Sequence, residues 1–254
     1  MSETNSRFME LFLELFESLP RQGPGSRACA QRALRLCGAL PPEPAVLDLG
    51  CGTGAQTLYL AEFTAGPILA IDSHAPSIER LRKTLAERGL LHRVKAQVGD
   101  MAHLDLPASS FDLIWSEGAL YNIGIAQALP ICFELLRPGG YLAFTDAVWR
   151  KDNPPAEVKA AFEQDGATLG RAADVAAAIT KGGFDLLGHF TLSDEAWWGD
   201  FYTPMETRIE AMRRQYAADG EALIILDEIA REPEMHRHYS DFYGYEFFVA
   251  RRSL

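Results

Sequence analysis

The sequence predicts an α/β domain: a mostly parallel sheet with helices on both faces. Two observations carry that prediction. From Ala45 onward, short apolar runs alternate with stretches of helical periodicity, and the first such run passes straight into a glycine-rich turn and another helix. Alternating strands and helices imply βαβ units with right-handed crossovers. Strands in such a sheet are covered on both faces and therefore read as unbroken apolar runs.

Ahead of the alternation, Phe8, Leu11, Phe12, Leu15, Phe16 and Leu19 recur at spacings of three and four, with Glu10, Glu14 and Glu17 between them. That pattern predicts an amphipathic helix, which Pro20 ends. Arg21-Gln22-Gly23-Pro24-Gly25-Ser26 reads as a tight loop, with Ser26 placed to cap a second helix through Ala30, Ala33, Leu34 and Cys37. Pro41-Pro42-Glu43-Pro44 then separates these helices from the core.

Five strands are expected at Val46–Leu49, Ile68–Ile71, Val94–Val98, Leu113–Trp115 and Tyr141–Thr145, with helices over Thr57–Phe63, Ile78–Arg88 and Ile125–Leu136. Two further strand candidates, Phe184–Leu192 and Gly244–Arg251, flank a mostly helical insert near Ser193–Ser240. The expected organisation is one domain over residues 1–254. It comprises an N-terminal helical arm (1–44), core sheet and helices (45–192), the insert (193–240) and a final strand (241–254).

Composition narrows the function classes. Lys and Arg number 24 against 35 Asp and Glu, leaving a formal charge of −11. Such a field repels phosphate backbones and anionic lipid surfaces, so neither nucleic acid nor membrane is expected as the main partner. No run approaches the roughly 18 apolar residues of a membrane span, and Met1–Glu10 lacks the basic start and cleavage site of a secretory leader. Cys29, Cys37, Cys51 and Cys132 show no C-x-x-C spacing, which predicts reduced thiols in a cytoplasmic protein. His236 and His238 are two apart and so point in different directions on a helix. His74, beside Asp72, either touches a bound nucleoside or stands near solvent at a helix start, and His92, His103 and His189 have no evident partners. No metal is expected. Half of the 26 aromatic residues lie from Phe184 onward, an imbalance that calls for a structural reason.

The strongest motif is Val46-Leu47-Asp48-Leu49-Gly50-Cys51-Gly52-Thr53-Gly54. Glycines at alternate positions let a ligand approach the backbone, and the following helix offers unpaired N–H groups. The dinucleotide fingerprint is G-x-G-x-x-G, whereas this turn is G-x-G-x-G with Asp48 two residues before the first glycine. A carboxylate there disfavours a pyrophosphate and favours a ligand carrying an ammonium group. Asp72, with Ser73 beside it, follows at the end of the next strand, where a carboxylate can accept from both hydroxyls of a ribose. Capping of the next helix by Asp72 or Ser73 is compatible with that role. After the third strand, Gly99-Asp100-Met101 offers an acid for an exocyclic amine, a backbone amide for a ring nitrogen and a thioether for a base face.

The stretches VLDLGCGTG, ILAID, GDMAHLDLP, SSFDLIWSEGALYNIG and LLRPGGYLAFTD, in this order and spacing, resemble the class I S-adenosylmethionine-dependent methyltransferases. The resemblance is to the small-molecule type with a UbiE-like (methyltransferase type 11) core, and it covers about Val46 to Asp146. It implies a Rossmann-like, seven-stranded, mostly parallel sheet whose last strand is antiparallel. It also implies that Asp48, Gly50 and Gly52 contact the methionine portion of S-adenosylmethionine, Asp72 the ribose, and Asp100 with Met101 the adenine. The backbone near Ser116 would complete the pocket beside the methyl group, and the product would be S-adenosylhomocysteine.

Methyl transfer is an in-line displacement, so the protein chiefly aligns the groups and excludes water. A base is required only where the acceptor atom must lose a proton in the transition state. Glu117 and Tyr121 are the candidates for orienting the acceptor or removing that proton; the alternative is that Glu117 bonds a loop amide or an N-terminal residue and Tyr121 only packs. The Arg21–Ser26 loop, Gly23 included, is placed to close over the cofactor, with Arg21 either clamping its carboxylate or lying in solvent.

The resemblance further implies that the insert covers the substrate. Trp197, Trp198 and Tyr202 then line an acceptor pocket, and with acids nearby they would suit an amine. The alternative assigns the tryptophans to the core or to a homodimer contact. The expected function is methyl transfer to a small molecule. A non-catalytic S-adenosylmethionine-binding regulator and a nicotinamide-dependent oxidoreductase remain as rivals from other classes.

Overall fold

In the computed structural model, residues 3–164 and 168–254 are described. Met1 and Ser2, at the terminus where no leader is expected, lie outside the described residues. The arm consists of α1 (Glu3–Ser18) and α2 (Arg27–Leu36). Ser26 caps α2 as its residue type predicts, its hydroxyl accepting from the Cys29 amide at 3.1 Å. The core follows as β1 (Val46–Leu49), α3 (Ala55–Phe63), β2 (Ile68–Asp72), α4 (Ala75–Glu87), β3 (Val94–Val98), β4 (Phe111–Ser116), α5 (Ile125–Leu135) and β5 (Leu136–Trp149). Next come α6 (Ala156–Gln164), β6 (Gly170–Arg171), α7 (Ala172–Lys181) and β7 (Phe184–Thr191). The insert holds α8 (Asp194–Trp197), a π-helical turn at Trp198–Tyr202, α9 (Thr203–Gln215), α10 (Gly220–Ile229) and α11 (Arg231–Tyr239), before β8 (Tyr243–Arg252).

The strands form one sheet in the order β3-β2-β1-β4-β5-β8-β7, with the short β6 paired to the end of β5. All pairings among β1 to β6 are parallel, and β8 runs antiparallel to both β5 and β7. The main ladder thus has seven strands with an antiparallel last strand, and β6 is an addition that two residues could not announce. β1 lies centrally and all four of its residues are buried, which is why Val46–Leu49 reads as a plain apolar run interrupted only by Asp48. The carboxylate of Asp112 ties the start of β4 to the entry of β1, accepting from the Ala45 amide at 2.8 Å and from Arg137 at 2.6 Å.

Three apolar clusters hold the layers. One lies under α2, α3 and α4 on one face of the sheet, and another packs α5 and α7 on the opposite face. The third joins the arm to the insert: Leu11 and Leu15 of α1 and Leu19 just after it pack with Trp197, Phe201, Tyr202, Met205, Ile209 and Met212 and with Ile225 and Leu226 of α10. Each of those three leucines is almost fully buried, contributing about 1.5–3 kcal/mol relative to exposure. Arm and insert are therefore one cap, built from segments at opposite ends of the chain, and it sits beside the strand ends that form the site.

Candidate functional site

A cavity of about 440 Å³ opens at the carboxyl ends of β1 to β4. This is the edge where open α/β sheets bind ligands, because the loops there diverge on either side of β1. Eleven residues singled out in the sequence line it: Arg21, Gly23, Gly50, Gly52, Asp72, Ser73, Gly99, Asp100, Met101, Glu117 and Tyr121.

The glycine turn forms the floor. Gly50 and Gly52 have φ of +70° and +52°, in the left-handed region that suits glycine. A Cβ on Gly50 would stand 2.2 Å from the Cβ of Ala119, so the turn and the loop after β4 touch backbone to side chain. Asp72 fixes the turn from the neighbouring strand, its carboxylate accepting from the Gly52 amide at 2.8 Å and from the His74 amide at 2.9 Å. The same carboxylate caps the approach to α4 and faces the cavity. Asp100 accepts from the Ala102 amide and from His103, both at 2.9 Å, and these bonds, His103 first, hold its carboxyl below the usual range.

The side chains of Asp48 and Ser116 are fully buried beneath the turn and do not line the cavity, which corrects Asp48 as a cofactor contact. The backbone next to Ser116 does line it, at Glu117, Gly118 and Ala119. Asp48 accepts from the Thr57 hydroxyl at 2.6 Å and from the Gln56 amide at 3.4 Å, which fastens α3 to β1. Burial pushes its carboxyl up to about 7, against the opposing hydrogen bond from Thr57. The Ser116 hydroxyl donates to the Leu49 carbonyl at 2.8 Å and so joins β4 to β1.

The arm closes one side. Arg21 donates through Nε to the Gly23 carbonyl at 2.8 Å, and its Nη2 forms a buried ion pair with Glu117. Its Nη1 is buried with no hydrogen-bond partner. The other carboxylate oxygen of Glu117 accepts from the indole N–H of Trp115 at 2.8 Å. With one oxygen on Arg21 and one on Trp115, Glu117 is a charge-paired pivot between arm and β4, which fits the alternative in which it bonds an N-terminal residue. Gln22, missed in the sequence, accepts from the Thr53 amide at 2.9 Å and lies against Gly52. Farther out, Glu17 of α1 pairs with His74 at 2.6 Å, and the Gly25 amide donates to the Ala196 carbonyl at 2.8 Å.

Tyr121, Asn122 and Ile123 line the cavity after β4, opposite the glycine turn in sequence, and Tyr245 of β8 joins them. Tyr245 was not foreseen, because only the pairing of β8 with β5, Ala147 opposite Tyr245, brings it here. The insert aromatics do not line this cavity, which fits the alternative that assigns the tryptophans to the core. Trp197 is buried with its ring stacked on His236 at 4.0 Å, Tyr202 donates to Glu232 at 3.0 Å, and Trp198 lies under the guanidinium of Arg237. Trp197 reaches the site only through Tyr245, whose ring it meets edge-on at 5.1 Å. Most of the aromatic surplus is the core of the cap, while Phe184, Phe190, Phe247 and Phe248 pack against the sheet.

Among the described residues no group of three or more His, Cys, Asp or Glu side chains is arranged to hold a metal ion, and no helix is long and apolar enough to cross a membrane. Residues 46–140 match the family model described as a methyltransferase domain. A curated relative, the uncharacterized methyltransferase YodH of Bacillus subtilis (strain 168), is 31% identical over 154 residues, covering 61% of this chain and 64% of that protein. The dimethylglycine N-methyltransferase of Parasynechococcus marenigrum (strain WH8102) is 32% identical over 114 residues, covering 44% of this chain and 41% of its own length. The chain thus spans less than two thirds of either relative. Among solved structures, a methyltransferase from Geobacter sulfurreducens in complex with S-adenosylhomocysteine superposes with a TM-score of 0.79 at 19% identity, covering 95% of this chain and 97% of that one. That likeness shows a shared fold from arm to final strand.

Proposed function

We propose that this chain, whose residues 46–140 match a methyltransferase domain, is a class I S-adenosylmethionine-dependent methyltransferase that methylates a small-molecule amine. The carrying observation is the set of side chains facing one cavity: a buried arginine with an unpaired nitrogen, several carboxylates and two phenols. The cofactor's groups match that set. Arg21 Nη1 suits its carboxylate, Asp72 its ribose hydroxyls, and Asp100 with the Met101 amide its adenine. Gly50 and Gly52 leave room for its amino-acid portion.

When bound, S-adenosylmethionine supplies an electrophilic methyl group on a sulfonium centre. The chain's own residues bind and orient. Arg21 and Gln22 close the arm over the glycine turn, which excludes water, and the Arg21–Glu117 pair holds that closure. The acids around the cavity favour cationic ligands, and the N-methyltransferase among the relatives supports an amine acceptor. The four thiols, buried and unbridged, suit a cytoplasmic setting.

The test has two parts. Calorimetric titration with S-adenosylhomocysteine is expected to show one site per chain, and loss of that binding sinks the reading. Release of S-adenosylhomocysteine is then measured with a panel of amines, alcohols, phenols and thiols. Turnover confined to a class other than amines overturns the acceptor assignment, and binding without any turnover favours a cofactor-binding regulator.

A further inference from the structure

Two phenols meet in the cavity lining. Tyr245 is half-buried, and its hydroxyl shares a side-chain hydrogen bond with Tyr121, which is 44% exposed at the rim. The Tyr245 ring is held in place from behind by the edge of Trp197 at 5.1 Å and 72°. In front, it lies 3.4 Å from where a Cβ would stand on Gly118, whose φ is +63°. A Cβ at 118 would stand in ordinary contact with this ring, and the left-handed backbone is what favours glycine there.

The polar groups beside the two phenols are engaged. Both oxygens of Glu117 are held by Arg21 and Trp115, the Asn122 amide donates to the Ala119 carbonyl at 2.9 Å, and Thr145 accepts from the Gly118 amide at 2.8 Å. Asp146 and Glu232 lie near enough to act on the Tyr245 phenol. Two ring faces, two hydroxyls and a negative field are the features that recognise a substituted ammonium or its conjugate amine.

We propose that Tyr245, positioned by Trp197 and bonded to Tyr121, forms the subsite that takes the amine nitrogen of the acceptor. The inference rests on the methyltransferase reading above and adds a residue and a mode of recognition. The Tyr245 oxygen accepts from the acceptor N–H, which turns the nitrogen lone pair toward the cofactor end. That lone pair forms the new N–C bond while the electron pair of the breaking C–S bond leaves on sulfur. The product departs as an ammonium and loses its proton to solvent, so no protein base is consumed. Burial and the nearby carboxylates raise the Tyr245 phenol well above its ordinary value, which keeps it a neutral hydrogen-bonding group.

The experiment uses the full chain saturated with S-adenosylhomocysteine and two probes, tetramethylammonium and trimethylammonium, which differ by one N–H. Isothermal titration of the wild type is expected to show both binding, trimethylammonium about fivefold more tightly, the worth of one net hydrogen bond. Tyr245→Phe abolishes that preference and keeps tetramethylammonium, whereas Tyr245→Ala weakens both at least tenfold. S-adenosylhomocysteine affinity stays within twofold in Tyr245→Phe. If the wild type binds S-adenosylhomocysteine but neither probe, or if Tyr245→Phe retains the preference, this proposal is overturned while the cofactor reading stands. If S-adenosylhomocysteine does not bind, both fall. Should Tyr245→Ala misfold, the Tyr245→Phe comparison decides the matter by itself.

Discussion

Arg21 and Glu117, 96 residues apart, form a buried ion pair that locks the N-terminal arm to the end of the fourth strand. Their side chains are 5% and 1% exposed, and breaking such a pair from one side leaves a desolvated charge behind. Arg21→Ala is expected to lower unfolding free energy by about 3–5 kcal/mol, since Glu117 then keeps only the Trp115 N–H. Glu117→Gln, which retains a hydrogen-bonding shape and removes the charge, costs less. Denaturant unfolding of the two variants checks the ranking, and equal effects would count against the pair as the lock.

Gly50→Ala tests the close approach in the floor of the cavity. The left-handed backbone alone costs a residue with a Cβ about 1–2 kcal/mol, and the 2.2 Å encounter with Ala119 adds to it. The expected outcome is a lower melting temperature together with weaker S-adenosylhomocysteine binding. Gly89→Ala, where φ is +66° and the position is open, serves as a control that shows only the backbone cost.

The buried carboxyl of Asp48 predicts a pH dependence. Its value is about 7 in the folded chain against an ordinary 3.8, so between those limits the folded state holds the extra proton. Stability contributed by this group therefore falls as pH rises from about 4 to about 7 and stays at the lower level above. Asp48→Asn cannot titrate and is expected to flatten that segment. Urea midpoints measured from pH 5 to pH 8 reveal the difference in slope.

His236 carries the opposite sign. Burial lowers its imidazole to about 4 from 6.5, so the unfolded chain binds the proton first and stability is lost as pH falls from about 6.5 to about 4. Both ring nitrogens are buried without a partner. His236→Phe keeps the stack on Trp197 and is expected to raise stability most at acid pH, which the same titration series follows.

Trp197→Ala separates cap from site. Removing a buried tryptophan typically costs about 3–5 kcal/mol, while S-adenosylhomocysteine affinity is expected to stay within about twofold because the indole does not line the cavity. A loss of cofactor affinity larger than the loss of stability explains would place Trp197 in the binding machinery after all.

The core strands were legible because each stands between its own turn signals. Val46–Leu49 and Val94–Val98 coincide in sequence pattern and structure. β1 is buried throughout and reads as an apolar run around Asp48, whereas β3, at the sheet edge, alternates buried Val94 and Ala96 with exposed Lys95. β5 was not, running from Leu136 to Trp149 where Tyr141–Thr145 was expected. Its extra length is pairing with β4 at Phe111 and with β8 at Tyr243, and Arg137-Pro138-Gly139-Gly140 hides the first part behind turn residues. β6 escaped for a simpler reason, since two residues carry no period. In the site, the strand-end residues from Gly50 to Glu117 were legible because each follows a recognisable strand. Gln22 and Tyr245 were not, because neither loop composition nor strand alternation says what lies across the cavity.

By itself the sequence determined the alternating core, the glycine turn and the series of acids at the strand ends, because these follow from local backbone geometry and from burial patterns a few residues long. Tertiary structure alone decided which acids face the cavity. Asp48 and Asp72 both lie on strands bordering the turn, yet Asp48 points beneath it to Thr57 and Asp72 reaches around to Gly52. It also decided that Arg21 meets Glu117 and that the aromatic end of the chain packs with α1 into a cap, leaving Tyr245 as its one ring in the cavity lining. Those outcomes depend on contacts between residues far apart in the chain, whose geometry is set by which buried surfaces can pack together and not by any local pattern.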